Sequence, residues 1–264
     1  MKILILILIL SSGSLAMARL VLVYRGPGAC EQSKDSSGCA ESAAAIALKA
    51  GFEVQFVGPE GLDDPTTWRQ ASAWIQPGGL VKNQVLAMRP HLLNQIRHFV
   101  KAGGGYVGFC AGAFLAADHF GFIDNYRTGK RFESSGLGLI PGYAFYFDEF
   151  DSQFRNHRYG RILKTRWSGK TRYVYWELGP FFKAPQKPSD YEVVASYLGF
   201  LGWTRQDHVM ALRSKFGKGR VFLSAVHPEA PQDWRNWYQL QDPDGLDTDL
   251  AIEMLMWVTP GEIK

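Results

Sequence analysis

The chain alternates between short apolar runs and helical segments over its first half, and this alternation constrains the fold more than any other feature. Strands are predicted at RLVLVY (19–24), EVQFVG (53–58), ASAWIQPGG (71–79) and YVGF (106–109). Helices are predicted over 39–52, 90–105 and 111–120, where alanine-rich or 3.6-periodic segments lie next to glycines. The order βαβα predicts an α/β fold, a doubly wound, mostly parallel sheet with helices on both faces.

The amino-acid composition changes after Gly121, where aromatic and turn-forming residues become frequent. We expect an inserted β-rich region of aromatic hairpins at about 121–190. Its basic stretch (155–172) is expected to form the solvated face of a hairpin, the alternative being a lid or wall that holds an anionic or planar ligand. A strand (191–197), a hairpin (207–226) and a final helix near 246–258 follow it. With 264 residues, 46% of them hydrophobic, the chain has enough apolar material for one domain over 19–264.

Residues 1–18 have the pattern of a secretory signal peptide. Lys2 precedes the apolar run ILILILIL, and small residues at Ala16 and Ala18 predict cleavage after Ala18. The apolar run is too short to span a bilayer, which needs roughly 20 residues. We expect a periplasmic or secreted protein with no stable membrane anchor after cleavage. The alternatives are an N-terminal core strand or a retained anchor.

The three cysteines are read in that oxidising context. Cys30 and Cys39 flank the polar loop EQSKDSSG and are expected to form a disulfide, the alternative being two free thiols in a loop. Cys110 is then an odd free thiol, which calls for a reason.

Cys110 lies at the tip of a predicted strand-to-helix turn, within the sequence GFCAG (108–112). The form G-x-nucleophile-x-G is typical of a nucleophile elbow, because glycines relieve crowding where a side chain projects from a sharp turn. We expect the helix start to favour a thiolate and the Ala111 N–H to donate to an oxyanion. The alternative is a close-packed turn without chemistry.

Glycine-marked turns are expected to gather around this cysteine, since ligands bind at the carboxyl ends of the strands in such sheets. The turn at 25–29 contributes Gly26 and Gly28, and the turn at 76–79 contributes Gly78 and Gly79. Glycine lets the backbone approach a substrate closely, so these four positions are candidate oxyanion or substrate contacts. Glu177, within the aromatic run YWELGPFF, is a further candidate at the pocket border.

The sequence FLSAVHPEA (222–230) supplies the partners that a cysteine nucleophile needs. Residues two apart in an extended chain point the same way, so His227 and Glu229 are expected to be neighbours. A cysteine, a histidine and a carboxylate that orients the histidine form a catalytic triad by role. A hydrogen-bonded structural histidine is the alternative. No Cys/His cluster has metal-ligand spacing, and we expect neither a metal nor a cofactor.

Taken together, QPGG, GGGYVGFCAGAFLAA and GKGRVFLSAVHPE resemble the class I glutamine amidotransferase-like superfamily. Within it, the chain resembles the domain at the N-terminus of eukaryotic biotin–protein ligases, which also occurs as a free-standing bacterial protein. The resemblance covers nearly all of residues 19–264 and implies a flavodoxin-like fold. It also implies that Cys110 is the nucleophile, His227 the base and Glu229 its orienting carboxylate.

Two departures shape the functional expectation. Glutaminases of the superfamily resemble G-x-C-x-G-x-Q, but this chain has Phe114 at the last position, which argues against glutamine hydrolysis. The matching motifs belong to an N-terminal domain, so we do not expect biotin ligation. We expect amide or ester hydrolysis or acyl transfer on an unknown small-molecule or peptide substrate. The alternative is a catalytically silent ligand-binding or scaffolding module. The net charge of +4 is too small to indicate a nucleic-acid partner.

Overall fold

The computed structural model describes residues 19–33, 36–125, 130–146, 160–198 and 208–260, with side chains described except at 122–125. The predicted signal peptide at 1–18 lies outside the described residues. Helices and strands alternate through the first half, as the sequence pattern predicts. The elements are β1 (Leu20–Tyr24), α1 (Cys39–Lys49), β2 (Glu53–Val57), α2 (Pro65–Gln70), β3 (Ala71–Gln76), α3 (Val81–Ala87), α4 (Pro90–Ala102), β4 (Gly105–Phe109), α5 (Ala111–Ala116), β5 (Ala117–Asn125), β6 (Lys130–Ser135), β7 (Ile140–Phe145), β8 (Arg161–Trp167), β9 (Lys170–Trp176), β10 (Phe181–Lys183), β11 (Glu192–Tyr197), β12 (His208–Phe216), β13 (Gly219–Ser224), α6 (Gln232–Trp237) and α7 (Thr248–Val258).

The described strands form one sheet whose centre is parallel. Its main order is β2-β1-β3-β4-β13-β12-β10-β7-β5-β6, and the first five of these strands are paired in parallel. Beyond β13 the pairing is antiparallel except between β5 and β7. The order places β4 beside β13, with Phe109 opposite Ser224. The carboxyl ends of these two strands, which are far apart in sequence, therefore lie side by side.

Helices cover both faces of the parallel part, because its strands alternate their buried side chains. Val21 and Val23 face a core formed with α1 and α7, whereas Leu22 and Tyr24 face a second core with α4 and α5. Strands buried on both faces are typical of parallel sheets in α/β proteins. No helix in the described ranges is long and apolar enough to cross a membrane.

The predicted helix over 111–120 is wrong in its second half. Helix α5 ends at Ala116, and β5 begins at Ala117 and pairs with both β6 and β7. Asp118 and His119 are both exposed and Phe120 is buried, and the register with β7 shifts between Ala117 and His119, so the alternation is irregular at the start of this strand. Hydrogen bonds to two neighbouring strands outweigh the helix propensity of the alanines. His119 accordingly lies on a strand rather than on the helix that follows Cys110.

The aromatic region after β5 extends the same sheet. Strands β8 and β9 form an antiparallel hairpin, and β8 joins β11. Along β8 the side chains of Leu163 and Trp167 are buried, while Lys164 and Arg166 are exposed. The described part of the basic stretch thus has one core face and one solvated face. The opposite strand, β9, ends at Trp176 and delivers Tyr175 and Glu177 toward the carboxyl edge of β4.

Candidate functional site

Cys110 lies directly after β4, in a backbone conformation that residues other than glycine rarely adopt. Its φ is 46° and its ψ is −101°, and its amide donates to Ser224 O at 2.8 Å, which ties the turn to the end of β13. Gly112 is essential for the tight turn, because a Cβ there would lie 2.2 Å from Gln76 O. Cys110 is 4% exposed and its Sγ contacts Glu177 O at 3.5 Å. The structure therefore has the sharp strand-to-helix turn at Cys110 that the glycine spacing predicts.

His227 follows β13 and is fixed on several sides. Its Nδ1 lies 2.8 Å from Glu229 Oε1, and both side chains are buried. Its amide donates to Tyr175 O at 2.8 Å, and its ring packs edge-on against Trp234 at a centroid distance of 5.3 Å. A Cβ at Gly78 would lie 2.5 Å from His227 Cε1, so only glycine permits the ring to lie here.

The charges around His227 favour its protonated form. Burial by itself lowers the pKa of this imidazole, but the charge of Glu229, the charge of Cys110 and the hydrogen bonds to both outweigh burial and raise the pKa well above 6.5. The ring lies on the wall of the same cavity as the thiol and contacts the carboxylate of Glu229. An imidazolium in this position stabilises negative charge on Sγ, which is the nucleophilic form of cysteine.

A cavity of about 880 Å³ opens in front of Cys110 and His227. Six aromatic side chains line it, together with the Cys30–Cys39 disulfide, Gly28 and Gly79. The aromatic residues are Phe114, Tyr146, Tyr175, Trp234, Trp237 and Tyr238. A volume of this size, lined by apolar rings with a few polar groups, is typical of a small-molecule site.

Glu177 carries a carboxylate on the wall of this cavity. Tyr175 Oη donates to Glu177 Oε2 at 2.8 Å, and Tyr238 Oη donates to Glu177 Oε1 at 2.8 Å. Burial, followed by the charge of Glu177, raises the pKa of Tyr175, so this phenol remains a hydrogen-bond donor. Leu178, the next residue, has a φ of 57°, and this turn directs the Glu177 carbonyl toward Cys110.

The other predicted contacts divide into residues that line the cavity and residues that support it. Gly28 and Gly79 line it, and Gly79 has a φ of 120°. Gly78 and Ala111 are not among the lining residues; Gly78 supports the His227 ring, and Ala111 is the first residue of α5, whose N–H has no partner within the helix. Gly26 lies outside the cavity, in a smaller adjacent hollow, because the chain reverses direction at Pro27 and Gly28.

The disulfide loop closes one side of the cavity. Cys30 and Cys39 are joined, with their Cα atoms 5.0 Å apart. Ser37 O accepts from Trp234 Nε1 at 2.7 Å, so the loop is docked on α6. Gln84 was not anticipated from the sequence, yet its buried amide donates to the carbonyls of Gly28 and Gly78 at 3.3 and 3.0 Å and holds the two glycine turns together.

The sequence reading also missed the aromatic residues of α6. Trp234, Trp237 and Tyr238 line the cavity and occur at i, i+3 and i+4, directly after the His227-Pro-Glu segment. That spacing places them on one helical face, and it was the signal available in the sequence. In the described ranges, no group of three His, Cys, Asp or Glu residues has the arrangement of a metal site.

The parallel sheet, the cysteine elbow at the end of β4 and the histidine after the neighbouring strand define a flavodoxin-like fold of the class I glutamine amidotransferase type. Among solved structures, PurLQS from Thermotoga maritima is similar with a TM-score of 0.58 and 16% identity, over 91% of this chain and 100% of that chain. At this identity the likeness shows the fold alone.

The family follows from the sequence comparison. The family model described as Biotin-protein ligase, N terminal, matches residues 19–252, and the chain belongs to that family. A biotin–protein ligase from Schizosaccharomyces pombe is 26% identical over 183 residues, covering 67% of this chain and 28% of that protein. An uncharacterized protein from Chlamydia muridarum is 28% identical over 143 residues, covering 51% of each chain. The chain thus spans between a quarter and about half of the length of these relatives.

Proposed function

We propose that the protein is a cysteine hydrolase or acyltransferase that acts on an amide or ester through Cys110, His227 and Glu229. The observation that supports this proposal best is the buried 2.8 Å contact between His227 Nδ1 and Glu229 Oε1, with Cys110 on the wall of the same cavity and its charge among the causes that raise the pKa of His227. A histidine held between a carboxylate and a thiol is the arrangement that activates a cysteine nucleophile. If His227 had only a structural role, the positive φ of Cys110 would have no functional reason.

The proposed reaction has two steps. The Cys110 thiolate attacks the carbonyl carbon and forms a C–S bond, and the C–N or C–O bond breaks as His227 gives its proton to the leaving group. Water then attacks the thioester while His227 accepts a proton, and the C–S bond breaks to release the acid and the thiolate. The N–H groups of Ala111 and Gly79 are the proposed donors to the oxyanion.

We further propose that the protein works outside the cytoplasm. The Cys30–Cys39 disulfide supports this, because such bonds persist mainly in oxidising compartments, and the signal-like pattern of residues 1–18 supports it independently. Sequencing the N-terminus of the protein recovered from the periplasm of an expressing bacterium is the test. An N-terminus at Arg19 is expected, and an uncleaved N-terminus would contradict export with cleavage.

Alkylation of Cys110 tests the activated nucleophile. Cys110 is the free thiol of the chain, so iodoacetamide reports on it alone. At about pH 6 we expect alkylation at least tenfold faster than that of a model thiol, and slowing on His227→Ala. His98→Ala removes an exposed histidine of α4 and is the matched control. A rate equal to that of the model thiol would contradict the proposal and favour a silent binding module.

Turnover is tested separately from activation. The wild-type protein is incubated with libraries of amides and esters, and cleavage is followed by mass spectrometry with Cys110→Ala as the control. We expect Cys110-dependent cleavage and a thioester on Cys110 that hydroxylamine releases. Cleavage that survives in Cys110→Ala would show that another group performs the reaction.

A further inference from the structure

The proposed reaction does not use the carboxylate of Glu177, which lies on the wall of the cavity. It lies on the same wall as the nucleophile, and its own backbone carbonyl contacts Cys110 Sγ at 3.5 Å. Its placement next to the reacting atom raises the question of what a negative charge recognises there.

Glu177 has hydrogen bonds but no counter-ion. Its two oxygens accept from Tyr175 and Tyr238, which orient the carboxylate without neutralising it. Across the described ranges no ion pair joins Glu177 to a basic side chain. A half-buried carboxylate that is held by neutral donors still has lone pairs that can accept hydrogen bonds from a ligand.

The residues around Glu177 suit a ligand that carries a positive charge next to an apolar group. Aromatic rings attract a positive charge through their faces, and Tyr175, Trp234 and Tyr238 line the cavity beside the carboxylate. Lys82, a basic side chain of the lining, has its ammonium 5.5 Å from the Phe132 ring centroid. Glu177 is a lining carboxylate whose own backbone carbonyl contacts Cys110 Sγ, so a cation bound to its side chain would lie close to the nucleophile.

We propose that Glu177 is a specificity residue that binds an ammonium group of the substrate, so that the substrate is an amide or ester with a primary amine near the scissile carbonyl. This inference rests on the proposed function, whose cysteine would attack that carbonyl. Recognition by charge explains why a carboxylate is retained in an aromatic wall, where desolvation is costly without a partner.

A set of matched methanethiosulfonates tests the proposal by varying only the charge of the group that enters the cavity. The Cys110 thiolate attacks the thio sulfur, forms an S–S bond and expels methanesulfinate. The aminoethyl reagent is cationic, the hydroxyethyl reagent is neutral and the sulfonatoethyl reagent is anionic. Each rate is divided by the rate with a model thiol, which removes differences in intrinsic reactivity.

We expect the aminoethyl reagent to exceed the hydroxyethyl reagent by about tenfold in the wild type and the sulfonatoethyl reagent to fall below it. Glu177→Gln keeps the shape and the bonds to the tyrosines, and it should bring the cationic preference close to one. Glu177→Asp keeps the charge and should retain part of the preference. Glu31→Gln removes a different, exposed carboxylate of the lining and should retain most of it.

A cationic preference of one in the wild type, or an equal preference in wild type and Glu177→Gln, would overturn the proposal and leave Glu177 as a structural acceptor for two tyrosines. Equal losses in Glu31→Gln and Glu177→Gln would also overturn it, because they would indicate a general field. The rate with the neutral reagent, relative to the model thiol, measures the activation of Cys110 independently of charge recognition. If that rate matches the model thiol, the activated nucleophile fails while the charge preference is still measured.

Discussion

The backbone of Cys110 stores strain that a glycine substitution would release, and this gives a quantitative test of the elbow. A φ of 46° with a ψ of −101° lies in a region that residues with a Cβ occupy at a cost of about 1–3 kcal/mol. Glycine adopts positive φ without that cost. Cys110→Ala keeps the strain, whereas Cys110→Gly removes it, and both variants lack the thiol.

The control is the same change at Ala113, three residues further along in α5. Ala113 is buried in a helix, so Ala113→Gly loses about 1 kcal/mol of helix propensity and about 0.8 kcal/mol of methyl burial. Position 110 precedes the helix, so the Ala-to-Gly step there loses about 0.8 kcal/mol of methyl burial and about 1 kcal/mol for ordering a glycine backbone, and the released strain of about 2 kcal/mol offsets these losses. We expect the Ala-to-Gly step to be close to neutral at position 110 and to cost about 2 kcal/mol at position 113.

Urea unfolding followed by tryptophan fluorescence, with the disulfide intact, measures both steps. A difference of about 2 kcal/mol corresponds to roughly 4–8 °C in Tm for a domain of this size. If the Ala-to-Gly step costs the same at positions 110 and 113, the residue at the elbow is unstrained, and the argument that the turn forces the thiol into the cavity is refuted.

Three further predictions concern charge, pH and the disulfide. Glu229→Gln removes a charge that raises the pKa of His227, so burial then lowers that pKa. Alkylation of Cys110 at neutral pH should slow about tenfold, and the pH–rate profile should shift to higher pH. An unchanged pH–rate profile would contradict the pairing of His227 with Glu229. Burial raises the pKa of Asp247 to about 7, so the folded state binds more protons than the unfolded state between about pH 4 and 7, and its contribution to stability falls as pH rises through that window. Asp247→Asn should remove this part of the slope of Tm against pH, and an identical slope would contradict it. Replacing Cys30 and Cys39 by serine opens a loop of sequence separation 9 and should lower the free energy of unfolding by about 2.5 kcal/mol, measured in urea; unchanged stability would show that the loop is held by α6 alone.

The parallel half of the fold was predictable because its signals are local. Strands β1 and β4 are short apolar runs, β2 and β3 end directly before Gly58 and Pro77, and α4 has a clear apolar stripe behind Pro90. The end of α5 was not predictable in this way, since Ala117 becomes a strand only through pairing with β6 and β7. Propensity within a segment carries no information about which distant strands are available to it.

The catalytic candidates were predictable for a different reason, which is topological. Cys110 and His227 follow strands that the α/β order brings to one edge, and Glu229 follows from the two-residue period of an extended chain. The setting of Glu177 was not predictable, because its contact with Tyr238 joins the end of α6 to the end of a hairpin strand across 61 residues. Only the register of β9 and the docking of α6 establish it.

Phe114 lines the same cavity as Glu177. Glutaminases of the superfamily resemble a sequence with glutamine here, whereas this chain places a buried ring on the cavity wall, packed against Phe120 and Tyr146 at centroid distances of 6.1 and 6.3 Å. A phenyl ring offers no hydrogen-bond donor or acceptor to a carboxamide. In the specificity proposed above, the polar contact to the substrate comes instead from Glu177, which two phenols hold beside the thiol. Glu177→Gln and a Phe114→Gln variant therefore test two separate contributions to the same proposed specificity.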